Sequence, residues 1–81
     1  MKTKEQLLTE ILATRADAAE GYSEYGSRVL PAMRIYKALA TYEERKAFQD
    51  ALESLLTSSK KDDRAFAVDL CLGFFVFRDA L

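Results

Sequence analysis

The sequence predicts an all-α fold, either a small four-helix bundle or an orthogonal helical array. Three observations point there. Apolar residues recur at steps of three and four. Two of those stripes follow a threonine with Gln or Glu three residues on, the spacing of a capping box. The one β-prone run has no second strand to pair with, and a lone strand would leave its backbone groups unsatisfied. The helices fall at about residues 4–19, 28–40, 42–57 and 63–80, in one domain over residues 1–81, with helix 4 at the centre.

Helix 1 opens at Thr3, whose hydroxyl can accept from the backbone N–H of Gln6 while the Gln6 side chain reaches back. Behind it Leu7, Leu8, Ile11, Leu12, Arg15, Ala18, Ala19 and Tyr22 form a helical stripe. Ala13, Ala16, Ala18 and Ala19 raise helix propensity. Gly21 ends the segment, or it runs on to Tyr25 before Gly26. In helix 2 the obstacle is Pro31, which has no N–H to donate. With Ser27 as N-cap, Pro31 falls in the first turn, where N–H groups have no helical acceptor anyway. Val29, Leu30, Met33, Tyr36 and Ala40, with Ile35 and Leu39 alongside, then make a broad apolar face.

Helix 3 is the most fully specified. Thr41 and Glu44 repeat the capping box, and Glu43 and Glu44 suit the positive end of the helix dipole. Ala47, Phe48, Ala51, Leu52, Leu55 and Leu56 form one face; Arg45, Lys46, Gln49, Asp50 and Glu53 form the other. The helix ends in Thr57, Ser58 and Ser59. Helix 4 is capped by Ser59 or Asp62, and Asp62 and Asp63 load its amino end with negative charge. From Ala65 to Phe77 only Asp69 is charged, and a helix apolar all round is normally buried all round. Val68, Phe74, Phe75, Val76 and Phe77 would also suit a strand; helix is preferred for want of a partner strand.

Leu55 and Leu56, a short polar turn, then Asp62, Arg64, Ala67, Val68 and Gly73 resemble the junction between helix pairs in HEAT-type solenoid repeats. Asp63 stands where such repeats usually have valine, and the pattern does not recur, whereas a solenoid stacks about three repeats. The resemblance implies a helix pair and no activity.

Composition narrows the chemistry. The chain has 81 residues, 49% of them hydrophobic, one cysteine, one proline, no histidine and no tryptophan. A chain this short buries roughly 60–65% of its unfolded surface, and small domains usually add disulfides or metal. One cysteine cannot close an internal disulfide, and without histidine the usual zinc sites are out of reach. Dense packing, a partner chain, or both must serve instead. The polar start of the chain is no signal-peptide core, and the longest apolar run, Leu70 to Phe77, is far short of the roughly 20 residues that span a bilayer. A cytoplasmic protein with no membrane partner is expected.

Without histidine there is no imidazole base, His-based triad or facial metal site. Gly21, Gly26 and Gly73 stand apart, so there is no phosphate-cradling loop. Cys71 reads as a buried, inert thiol. Glu43–Glu44 and Asp62–Asp63 are explained by helix amino ends, and Glu20 and Glu24 read as a solvated face. Asp69, an acid in an apolar helix, is exposed, contacts a partner, or pairs with Arg34 or Arg28; buried alone it would cost too much. No catalytic, cofactor or metal residues are assigned, and the protein is read as not an enzyme.

The remaining constellation is Tyr22, Tyr25, Arg28, Arg34, Tyr36, Lys37 and Tyr42, residue types that protein interfaces concentrate. The alternative is that the tyrosines line a half-buried corner between helices 1 and 2. Residues 1–40 carry six basic and five acidic groups and residues 41–81 six and eight, so neither half makes the basic stripe that nucleic acid needs. The functional expectation is a protein-binding module of the inhibitor, immunity or antitoxin kind that occludes a partner. A homo-oligomeric structural or assembly subunit is the first alternative, with a homodimer through surplus apolar surface on helix 4. A nucleic-acid-associated regulator is the second.

Overall fold

The computed structural model describes the backbone of residues 1–17 and 24–77 and the side chains of residues 1–15 and 31–73. Four helices follow in order: α1 (Lys4–Asp17), α2 (Glu24–Lys37), α3 (Tyr42–Leu56) and α4 (Lys61–Phe77). The all-α bundle is as the sequence predicts, and no strand occurs among the described residues. The expected extensions of helix 1 to residue 19 and of helix 4 to residue 80, with the Gly21 terminus, lie outside the described residues.

Local chemistry sets most of the boundaries. At the start of α1 the capping box is complete: the Gln6 N–H donates to Thr3 Oγ1 at 3.2 Å, and the Thr3 N–H donates to Gln6 Oε1 at 2.8 Å. At α3 the box is half made. Thr41 has extended backbone (φ −119°, ψ 158°) and its Oγ1 accepts from the Glu44 N–H at 3.2 Å. The Glu44 carboxylate does not reach back to the Thr41 N–H. It accepts instead from the Thr41 hydroxyl at 3.2 Å and from the Lys2 N–H at 3.0 Å, tying the amino end of the chain to α3. At its other end α3 closes with the Thr57 N–H on the Glu53 carbonyl, 3.2 Å.

Two helix starts differ from the sequence reading. α2 begins at Glu24, so Ser27 is not its N-cap and Pro31 lies in the helix interior rather than in the first turn. A proline there leaves the Ser27 carbonyl without its helical donor. Packing of α2 against α1 and α4 outweighs that loss, as tertiary contact commonly does for local preference. α4 begins at Lys61, so neither Ser59 nor Asp62 caps it. Ser58 organises the turn: its Oγ accepts from the Lys60 N–H at 3.1 Å, and the Arg64 N–H then closes on the Lys60 carbonyl at 3.2 Å.

The helices form a ring. Among the described residues α1 packs against α2 and α3, and α4 packs against the same two. α4 is therefore one wall of four and not the centre. The core draws on all four: Leu7 and Ile11, Ala32 and Met33, Phe48, Ala51, Leu52 and Leu55, then Phe66, Ala67 and Leu70, with Leu39 buried between α2 and α3. Ala32 is buried, while Ala40, expected on the apolar face, is exposed. α3 and α4 pack as a pair across the 57–60 turn.

Candidate functional site

Two surfaces bring forward residues able to contact another protein: the corner where α2 passes into α3, and the outward side of α4. The corner takes up most of the tyrosine–arginine constellation that is visible. Arg34 and Lys37 are exposed on the last turn of α2, and Tyr42, the first residue of α3, is 68% exposed. Tyr36 does not join them. It is half-buried, and its ring meets Phe48 edge-on with centroids 5.3 Å apart, so it is a packing residue. Tyr22 lies outside the described residues, as do the side chains of Tyr25 and Arg28.

The second surface follows from the composition of α4. Its inner line is Phe66, Ala67, Leu70 and Gly73, all buried. The opposite line is just as apolar: Ala65, Val68 and Leu72 are exposed, Val68 to 46% and Leu72 to 52%. Helical spacing makes them one stripe. Burial on all sides, expected from the sequence, is therefore half realised, because among the described residues α4 has neighbours on one side only. Asp69 sits at the edge of this stripe, half-buried and engaged within the chain, so simple exposure is excluded.

Cys71 is exposed beside Leu72, which corrects its assignment as a buried thiol. Partial screening of the sulfur by its apolar surroundings still raises its pKa above the ordinary thiol range. Less thiolate at neutral pH means a poorer nucleophile.

The sequence reading missed a polar clamp between α1 and α4. Arg15 Nη2 donates to Asp63 Oδ1 at 2.7 Å, and its guanidinium carbon lies 4.8 Å from the centre of the Phe66 ring. Asp63 also accepts from the Ser58 hydroxyl at 3.3 Å, and Arg64 donates to the Ser58 carbonyl at 2.7 Å. The arginine hydrogen bond, opposed by partial desolvation, holds the Asp63 carboxyl below its usual range. The Lys2 N–H, again against some desolvation, does the same for Glu44, helped by Thr41. The signal for the clamp was an arginine on the apolar stripe of helix 1; what it could not give was the partner, 48 residues away.

No group of three or more metal-ligating side chains occurs among the described residues, and none of their helices is long and apolar enough to cross a membrane. A shallow depression of about 410 Å³ is lined by Lys2, Gln6, Thr9 and Glu10, where Lys2 and Glu10 already neutralise each other at 2.8 Å. No protein-family model, no curated protein and no solved structure matches this chain, so its functional reading rests on its own geometry.

Proposed function

We propose that this is a small, non-enzymatic protein-binding module that works by covering part of a partner protein, with the outward stripe of α4 as its principal contact surface. The observation that supports this most is the pairing of Val68 and Leu72, 46% and 52% exposed, one turn apart on a well-formed helix. Fully burying an aliphatic side chain of this size is worth about 1.5–3 kcal/mol, so an uncovered pair represents unused binding energy. Arg34, Lys37 and Tyr42 at the α2–α3 corner supply a second, more polar contact area.

An inhibitor, immunity or antitoxin-type accessory protein is the concrete form of this reading. Such a protein needs a rigid scaffold and a sticky face but no acid–base machinery, in keeping with the absence of histidine. One cysteine with no disulfide partner in the chain fits the cytoplasm. A homo-oligomeric assembly subunit is the second reading, favoured by the same apolar stripe. A nucleic-acid-associated regulator fits less well, because the net charge is −1.

Affinity capture from source-cell lysate with wild type, Val68→Asp and Arg34→Ala tests the proposal. One stoichiometric protein retained by wild type and lost from Val68→Asp supports the α4 surface. Loss from Arg34→Ala alone moves the contact to the α2–α3 corner. Equal capture by all three sinks both surfaces.

A further inference from the structure

Resting on the reading of this chain as a protein-binding module, we infer that the α2–α3 corner receives an acidic segment of the partner protein. The charge distribution singles out this place. No acidic residue occurs between Glu24 and Glu43, whereas the rest of the chain carries nine basic and thirteen acidic groups. A molecule charged in this way repels an acidic approach over most of its surface and admits one here.

The side chains at the corner are suited to carboxylates. Arg34 and Lys37 stand three residues apart on the last turn of α2, which puts them on one side of the helix, and both are exposed. Tyr42, 68% exposed beyond the connecting segment, offers a phenolic O–H and an aromatic face. Arg45 is tied to that segment, its Nη1 donating to the Leu39 carbonyl at 3.4 Å. Lys2, Arg15 and Lys46 are paired with acids of their own chain; among the described residues Arg34 and Lys37 have no such pair. Of the two acids that follow in sequence, Glu44 is held by the Lys2 N–H and the Thr41 hydroxyl, and only Glu43 is exposed.

The negative end of the α2 dipole favours cations on its last turn. That explains Arg34 and Lys37 as charges, but it gives no role within the fold to an exposed tyrosine or to an acid-free stretch. The small number of cations favours a short acidic peptide over nucleic acid. They neutralise few phosphates, and a long polyanion would run on into the acidic remainder of the chain.

Titration of isotope-labelled protein with octaglutamate peptide, followed by amide chemical shifts, tests the inference. Shifts should concentrate between residues 34 and 45. Raising salt from about 0.1 M to about 1 M shortens the screening length from about 10 Å to about 3 Å and should abolish them. Arg34→Glu with Lys37→Glu should weaken the peptide at least several-fold. Lys60→Glu with Lys61→Glu, an exposed basic pair followed by Asp62 and Asp63, should weaken it far less. If the corner variant loses its helical circular dichroism, Arg34→Gln with Lys37→Gln decides by the same measure. Equal weakening by the two pairs overturns the inference, as does the absence of shifts at the corner. Tighter binding of an oligothymidylate at the same residues overturns it in favour of nucleic acid. If the peptide does not bind but Val68→Asp still loses a captured partner, the corner's ligand is refuted and the module reading stands. If the peptide does not bind and capture is equal for all variants, both fail.

Discussion

α3 and α4 sit side by side in the ring and were read from the same kind of pattern, yet they use it differently. In α3 polarity and geometry agree. Phe48, Ala51, Leu52 and Leu55 are buried, Lys46, Gln49 and Glu53 are exposed, and Lys46 and Asp50 form an ion pair one turn apart at 3.7 Å. In α4 the apolar character continues past the side that is packed, onto Val68 and Leu72. Burial within the fold accounts for the first pattern except Leu56, which is 36% exposed at the end of the helix, and for only half of the second. The lesson is that apolarity in a sequence marks contact, and a fold this small does not supply all the contacts.

That contrast can be broken most directly in the core. Phe48→Ala, at a fully buried ring that also meets Tyr36, should cost about 3–5 kcal/mol by denaturant unfolding, and Leu52→Ala about 2–5 kcal/mol. A comparable loss from Leu72→Ala would show that α4 is packed on both sides and end the comparison. The cap comes next: Thr41→Ala removes the acceptor of the Glu44 N–H and should cost about 1 kcal/mol.

Smaller still is the pH effect of Asp63 and Glu44. Both have folded pKa values lowered from 3.8 and 4.5, so their contribution is present above those values and is lost as pH falls below them. The midpoint of urea unfolding should therefore drop through the carboxylate range, and the drop should shrink in Asp63→Asn. An unchanged profile would remove the clamp from the list of stabilising contacts. Smallest of all, Arg34→Ala and Leu72→Ala should stay within about 0.5 kcal/mol of wild type in the monomer, since both side chains are exposed. Equal destabilisation by Arg34→Ala and Leu52→Ala would make Arg34 a structural residue.

What could be read from the chain was what local chemistry decides. Thr3 with Gln6, Thr41 with the Glu44 N–H, and the inward line of α3 are all determined within one or two turns. Where the reading failed, a distant group had intervened. Pro31 is drawn inside α2 by packing on α1 and α4; Glu44 is diverted from its box by Lys2; Asp63 is taken by Arg15. The candidate surface was legible in part, as surplus apolar character in helix 4, but its direction was not. Which side of α4 would face out depended on the order of the helices around the ring, and Cys71 came with that side.

The ring order also shapes how such a chain reaches its fold. α1 with α2 and α3 with α4 are hairpins local in sequence, while α1 with α3 and α2 with α4 join distant segments. Pairing segments distant in sequence carries the larger loop-closure entropy, so the two hairpins are expected to form before they dock. Among the described residues, side-chain contacts that cross between the hairpins include Arg15 to Asp63, Lys2 to Glu44 and Tyr36 to Phe48, over a core shared by all four helices. Leu39, in the segment joining the two halves, is buried in the core that they share.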